Sequence, residues 1–381
     1  MDKLNIAVVG HRFMGRAHTF AYANIPIIFD PGVELVRHTL CARSEDVGPI
    51  SKRWGYLNWT HDWHDVINNP EIDIVDISGP SAIHKDVAIA AIQAGKHVVC
   101  EKPLALKLSD AQQMADVAAA SPVTNMIGFT YRRVPALALA KRFIDEGRLG
   151  TLYHFKGIYS QDYLIDPDYP LVWRLQKQDA GYGSHGDLGA HVADMARFLV
   201  GDFDSVMCMQ KTFIDKRRKV LFSDGLSAVA GDELGDVDVD DSSMMLVRFK
   251  NKDTQGYIEA SRYNAGYKNR NYIEINGSLG SIRFDMERMG ELDYYDARDP
   301  EEAQGFKSIQ IGAGVHPYMA NWWPIGHTIG FGEAMTNQLY DFIMAVKDKK
   351  SIAPDFNDGL KCQQFLEAAV QSSLEERWVK V

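Results

Sequence analysis

The chain opens on an apolar run, Leu4 to Val9, whose pattern predicts a strand buried on both faces. Gly10-His11-Arg12-Phe13-Met14-Gly15 follows, then a helical segment from about Arg16 to Pro26. The alternation repeats. Strands are predicted over Val33–Cys41, Ile72–Ile77, Lys96–Cys100 and Val123–Phe129. Helices are predicted over Ser44–Arg53, Ala82–Ala94 with Ser81 as N-cap, and Ser109–Ala120. Strands alternating with helices at this spacing imply a parallel, doubly wound sheet. Ligands of such sheets collect at the carboxyl ends of the strands, where Gly10, Arg43, Ser78 and Glu101-Lys102 fall.

The pattern changes after Phe129. Pro135 to Glu146 reads as a helix and Leu152 to Tyr159 as a strand. Leu188, Val192, Met195 and Leu199 recur at helical steps after the glycine-rich stretch Gly181-Tyr182-Gly183-Ser184-His185-Gly186. Short strands are then predicted over Val206–Phe213, Ser242–Phe249, Gln255–Arg262, Asn271–Ile275, Ser281–Phe284 and Leu292–Tyr295. A run of strands after one long helix suggests an open, largely antiparallel sheet with one free face, a natural oligomer surface. Lys216–Gly235 lacks periodicity and is expected to be an excursion. Asp236–Asp241 is expected to form a polar strand edge and lacks the glycine and terminal glutamate of a calcium hand. Phe331–Val346 and Asp358–Glu376 read as closing helices. The expected fold is therefore an α/β doubly wound sheet over residues 1–128 and an α+β domain over 129–381.

Composition narrows the function. With 381 residues, 46% hydrophobic and 24% charged, the chain suits a two-domain globular protein. A net charge of −10 argues against a nucleic-acid partner. No apolar run reaches membrane-spanning length, and the strand begins directly after Met1-Asp2-Lys3, leaving no room for a secretory signal. Cys41, Cys100, Cys208 and Cys362 lie far apart, which suggests reduced thiols and a cytoplasmic location.

Strand, glycine turn and helix form the setting of the dinucleotide-binding fingerprint G-x-G-x-x-G. Gly10 and Gly15 match its first and third glycines, while Arg12 replaces the second. The guanidinium could pair with phosphate or point to solvent; both readings stand. The second strand ends Cys41-Ala42-Arg43-Ser44 with no acid for a ribose 2′-hydroxyl. Arg43 and Ser44 would suit a 2′-phosphate, whereas Arg43 stacked on adenine would leave NAD acceptable. The cofactor is read as NAD or NADP, with NAD slightly preferred.

Asp187 and His191 are spaced to share one helix face, a common way to orient a general base. The same pair also occurs as a surface contact or a metal site. A zinc site from Asp187, His185, His191 and His327 lacks a completing His or Cys cluster, so no metal is expected.

Several segments together resemble the Gfo/Idh/MocA oxidoreductases, the glucose–fructose oxidoreductase and inositol dehydrogenase family. They are Val9-Gly10 through Phe13-Met14-Gly15-Arg16-Ala17-His18, Asp76-Ile77-Ser78-Gly79-Pro80 with His84, and Ala94-Gly95-Lys96-His97-Val98-Val99-Cys100-Glu101-Lys102-Pro103. The likeness continues through Gly128-Phe129-Thr130-Tyr131-Arg132-Arg133 and Trp173-Arg174 to Asp187-Leu188-Gly189-Ala190-His191. Trp322-Trp323-Pro324-Ile325-Gly326-His327 and Pro354-Asp355-Phe356 are most similar to levoglucosan-dehydrogenase-like and glycoside 3-dehydrogenase members. The resemblance implies a Rossmann domain and pairing through the second sheet as dimers or tetramers. It also implies a catalytic group of Lys102, Asp187 and His191. Lys102 would sit at the reacting hydroxyl, His191 would take its proton, and Asp187 would pair with Lys102 or His191 and fix its orientation.

The implied cofactor contacts are Gly10, Arg12, Phe13, Met14, Gly15, Arg43 and Ser78, with Pro80, His84, Glu101, Lys102, Trp173 and Arg174. Tyr131, Gln161, Trp173, Arg174, Asn269 and His327 are candidates for a sugar pocket beside Lys102 and His191, because aromatic faces and amide donors suit a polyol. The expected activity is reversible NAD(P)-dependent oxidation of a secondary hydroxyl, C3 of a glucose-like ring by the narrower reading. The alternatives are a redox-neutral glycosidase or lyase working through transient C3 oxidation, and a non-catalytic sensor.

Overall fold

The computed structural model describes residues 2–223, 228–251 and 253–381. The chain divides into two compact units, residues 1–130 with 331–360 and residues 131–330 with 361–381.

In the first unit six parallel strands stand in the order β3-β2-β1-β4-β5-β6. They are β1 (Lys3–Val9), β2 (Glu34–Cys41), β3 (Asn58–Thr60), β4 (Ile74–Ile77), β5 (His97–Cys100) and β6 (Asn125–Ile127). This is the doubly wound dinucleotide-binding order, with its switch point between β1 and β4. Val9 pairs with Cys41 on one side and Ile77 on the other, so three strand ends are level. Backbone bonds extend that edge: Gly10 N–H donates to the Cys41 carbonyl at 2.8 Å, Ser78 N–H to Val9 at 2.9 Å and Glu101 N–H to Ile77 at 2.9 Å.

Leu4, Ile6 and Val8 bury against Tyr22 and Ile25 of the Phe13–Ile28 helix and against Met335, Leu339, Phe342 and Ile343 of the Phe331–Asp348 helix. The sequence reading counts that last helix with the second half of the chain. Its apolar face instead completes the core of the first unit. The sequence pattern also passes over β3 and the Trp63–Asn68 helix, which are too short to show a period. Ser81 is not an N-cap: Pro80 holds an extended backbone, and Ser81–Ile83 form a 3-10 turn before the His84–Gln93 helix.

The second unit holds a nine-stranded sheet, counted among the described residues, in the order β16-β15-β14-β13-β7-β12-β11-β8-β17. Its strands are β7 (Leu152–Ser160), β8 (Phe203–Lys211), β11 (Ser242–Phe249), β12 (Gln255–Ser261), β13 (Arg270–Gly277), β14 (Gly280–Asp285), β15 (Glu291–Asp296), β16 (Lys307–Gln310) and β17 (Val379–Lys380). Only β7 and β12 run parallel; the other pairs are antiparallel. Burial alternates along β11: Met245, Val247 and Phe249 face inward, while Met244 and Leu246 lie exposed beside Met209 of β8.

Two expectations are corrected here. Lys216–Gly235 is no structureless excursion, because β9 (Lys216–Ser223) and β10 (Ala228–Asp236) pair as a separate ribbon. Arg217 roots it: its buried guanidinium donates to the carbonyls of Leu164, Asp166 and Tyr169. Of the acidic run only Asp236 belongs to a strand, at the end of β10; residues 237–241 lie outside any strand. The run's last two carboxylates cap backbone: Asp240 accepts from the N–H groups of Gly183 and His185, and Asp241 from Phe213.

No helix among the described residues is long and apolar enough to cross a membrane. Phe342→Ala should destabilise the first unit by about 3–5 kcal/mol through lost burial and a residual cavity, measured by denaturant unfolding. An unchanged midpoint would place this helix outside that core.

Candidate active site

The turn after β1 is built by close approach. Gly10 has φ +116°, and a Cβ there would lie 2.6 Å from the Gly79 nitrogen. A Cβ on Gly15 would strike the Gly10 carbonyl oxygen. These two positions therefore do what a dinucleotide turn requires, bringing backbone to the start of a 16-residue helix whose N-terminus favours phosphate. Arg12 is exposed at the N-cap without a side-chain cap bond. Phe13 stacks on Phe331 with centroids 5.8 Å apart, and Met14 is half-buried against the core. Arg43 is exposed beyond β2. Close by, His11 Nε2 lies 2.9 Å from Ser44 Oγ and 3.1 Å from Asp46 Oδ1, and burial holds the His11 pKa below its usual value. The open backbone cradle and the helix start fit a bound dinucleotide.

Beneath the strand ends lies a charge network that the sequence reading missed. His18 and Asp76 are both 0% exposed and Glu101 is 5% exposed. His18 Nδ1 is 2.7 Å from Asp76 Oδ2, and Nε2 is 3.1 Å from Glu101 Oε1. Asp76 also accepts from Tyr22 Oη at 2.9 Å and from Ser78 Oγ at 2.7 Å. Glu101 Oε2 accepts the backbone N–H of Lys102 at 3.2 Å. Burial by itself would lower the His18 pKa, but Asp76 and then Glu101 outweigh it and raise it to about 10. His84 is buried between the Pro103 carbonyl (2.9 Å) and the Gly79 carbonyl (3.2 Å), with its pKa lowered by burial. It ties together the two turns that carry Ser78, exposed Pro80 and Lys102.

In the second unit, His185–Gly189 forms a π turn that runs into the Ala190–Leu199 helix. Asp187 thus lies within a widened turn and His191 in the first turn of the helix that follows it, a feature frequent at functional sites. Its start is fixed by Asp240, and a Cβ on Gly183 would strike the Asp240 carbonyl oxygen. His185 is buried with Nε2 2.9 Å from the Leu366 carbonyl and its pKa lowered by burial.

The His191 ring lies 4.5 Å from the Tyr131 ring and 5.9 Å from the Tyr159 ring. The two hydroxyls are 2.7 Å apart, and Tyr159 Oη and Gln161 Nε2 both donate to Asn269 Oδ1, at 2.8 and 2.9 Å. Burial, then Tyr131, pushes the Tyr159 pKa up, keeping the phenol protonated as a donor. Asp187 accepts from Arg262 Nη2 at 3.0 Å; this buried guanidinium also donates to the Gly183 carbonyl at 3.2 Å. Tyr131, Gln161, Asn269 and His191 therefore meet around Tyr159 as one polar cluster, and the Asp187 carboxylate, held by Arg262, is close enough to help raise the Tyr159 pKa.

Tyr159 and Arg262 complete the cluster and were missed; the alternation of β7 and β12 was the available signal for both. Trp173 lies 43% exposed under the Arg174 guanidinium at 4.4 Å, and Arg174 is joined to Arg262 through its carbonyl at 3.4 Å. His327 stays apart: it is exposed and its Nδ1 bonds the Pro324 carbonyl of its own loop at 3.0 Å. No group of three metal-ligating side chains converges among the described residues.

A dinucleotide-binding unit joined to a unit that sets a histidine among tyrosine hydroxyls and amides suits a nicotinamide-dependent oxidoreductase. Comparison with known proteins agrees. Residues 4–129 match the oxidoreductase family model with an NAD-binding Rossmann fold, and residues 137–283 match the GFO/IDH/MocA C-terminal domain. The chain is 41% identical to levoglucosan dehydrogenase of Pseudarthrobacter phenanthrenivorans over 387 aligned positions, covering 100% of this chain and 99% of that one. It is 29% identical to inositol 2-dehydrogenase of Rhizobium meliloti over 82% of this chain and 81% of that protein. A solved structure of levoglucosan dehydrogenase in complex with NADH and levoglucosan is similar with a TM-score of 0.94 at 39% identity, covering 100% of both chains. The chain belongs to the Gfo/Idh/MocA oxidoreductase family.

The His18 pairing sets a pH dependence. A folded pKa of about 10 against 6.5 for the free side chain stabilises the fold fully below pH 6.5 and is lost as pH rises through about 10. Calorimetry across that window should show a falling midpoint for the wild type and a flatter profile for His18→Gln. Equal slopes would mean that His18 is not charged when folded.

Proposed function

We propose that this enzyme reversibly oxidises a secondary hydroxyl of a levoglucosan-like sugar or glycoside, at C3, with NAD as the preferred cofactor. The full-length likeness to levoglucosan dehydrogenase carries this reading. The nicotinamide, when bound, supplies the hydride acceptor. Gly10 and Gly15 give the backbone cradle for the diphosphate, with Arg12, Phe13, Met14, Arg43, Ser78 and Pro80 around it. Lys102 holds positive charge at the oxygen that becomes an alkoxide, lowering the cost of its charge. His191 takes the hydroxyl proton and returns it in reduction. Asp187, anchored by Arg262, orients that chemistry.

Tyr131, Tyr159, Gln161 and Asn269 offer hydroxyl and amide partners at His191, which suits a ring bearing several hydroxyls. Trp173 and Arg174 are assigned to cofactor or sugar contact as a stacked pair. The four buried thiols suit a cytoplasmic setting. The face carrying Met209, Met244 and Leu246 suits burial against a second copy of the chain as a dimer or tetramer.

Purified enzyme offered levoglucosan, glucose and myo-inositol with NAD or NADP should form reduced cofactor fastest with levoglucosan and NAD, and NMR of the product should show a C3 ketone. Glycoside cleavage without net cofactor reduction would instead identify a redox-neutral glycosidase. Lys102→Ala and His191→Ala should each lower kcat by about 10²–10⁴-fold while leaving cofactor affinity nearly unchanged. Activity retained in either would remove that residue from the mechanism.

A further inference from the structure

The first unit buries an ion network to which the proposed chemistry gives no task. We infer that His18 is a positioning residue, clamped between Asp76 and Glu101 so that the Glu101 carboxylate holds the Lys102 turn in place. Both ring nitrogens of His18 face carboxylates, Asp76 at 2.7 Å and Glu101 at 3.1 Å. A ring that donates to two carboxylates is an imidazolium. Its raised pKa agrees with that charge state.

The chain of contacts has a direction. Asp76 stands in β4, and Tyr22 and Ser78 fill its remaining acceptor positions, so this end is fixed to the sheet. His18 carries that rigidity to Glu101 Oε1, and Glu101 Oε2 receives the Lys102 N–H at 3.2 Å. Without the imidazolium, Glu101 would be buried near Asp76 with its cation gone. A carboxylate in that position takes up a proton or swings outward. Either change loosens the backbone of residue 102 and displaces its side chain. The inference rests on the reading of Lys102 as the group that contacts the reacting hydroxyl.

The test uses the full-length enzyme, levoglucosan and NAD, with two readouts: kcat, and hydrogen exchange of the peptide spanning residues 100–104. His18→Asn keeps an amide donor on the Asp76 side and loses the reach to Glu101; His18→Gln restores that reach. His18→Asn should lower kcat by about 10²-fold, the cost of roughly an ångström of misplacement, and speed exchange in that peptide alone. NAD affinity, followed by fluorescence titration, should stay close to the wild-type value. His18→Gln, which restores the reach to Glu101 as a neutral donor but not the charge, should recover only part of both effects.

Wild-type turnover and exchange in His18→Asn would overturn the inference. So would equal losses in both variants accompanied by lost NAD affinity, which would mark a general scaffold role. Should His18→Asn fail to fold, Glu101→Gln decides: its single carbonyl oxygen cannot serve both donors, so local exchange should rise and kcat fall. An unchanged Glu101→Gln enzyme would overturn the inference equally. Lys102→Ala separates the two layers. If that variant keeps its activity, the reading of Lys102 fails, while the exchange measurement still decides whether His18 holds the turn.

Discussion

Burying a carboxylate away from water is costly unless a cation and several donors meet it, and that constraint shapes both units. In the first, Asp76 and Glu101 are both inside, and His18 is the cation between them. In the second, Arg132 meets Asp194 through a buried pair whose Nε–Oδ2 distance is 2.9 Å, and the buried guanidinium of Arg262 meets the part-exposed carboxylate of Asp187. Such pairs contribute little net stability once desolvation is counted, but an alternative packing would strand a charge. Their effect is therefore on geometry: the polar groups proposed for chemistry have one low-energy arrangement each.

The parts of this architecture that were legible in the sequence are local ones. Gly10 and Gly15 lie five positions apart, and their meaning comes from the strand before them and the helix after them. Glu101-Lys102-Pro103 reads as a strand end because β5 immediately precedes it. Asp187 and His191 were singled out by spacing alone, and the π turn that contains Asp187 leaves no mark in a hydrophobic pattern that continues into a regular helix. The β9–β10 ribbon was illegible for a related reason. Its outer positions include exposed Leu221, Phe222 and Leu234, so no apolar–polar alternation marks it as strand.

What remained hidden is what distant residues do to one another. His18 meets Asp76 across 58 positions and Glu101 across 83, and Arg262 meets Asp187 across 75. No periodicity or spacing rule reaches that far; the alignment of β1, β4 and β5, and the packing of the His185–Gly189 turn against β12, bring these side chains together. His18 entered the sequence reading only as the end of a segment that carried the resemblance, with no role of its own. Asp240 is the same case: within an acidic run it read as part of a polar strand edge, yet its carboxylate fixes the start of the turn that carries Asp187.

A division of labour follows from where charge is placed. The ionised groups at these sites are largely engaged with one another: His18 with Asp76 and Glu101, Arg262 with Asp187. Around His191, by contrast, the structure gathers neutral partners: two tyrosine hydroxyls 2.7 Å apart and the amides of Gln161 and Asn269. Neutral donors and acceptors exchange hydrogen bonds with substrate hydroxyls without a large desolvation cost, and they discriminate by position. An arrangement that pairs its charges for rigidity and leaves neutral polar groups beside His191 is suited to an uncharged, hydroxyl-rich substrate. With His191 as the proposed acid–base group, selectivity for such a ligand depends on which hydroxyl these neutral partners leave facing it.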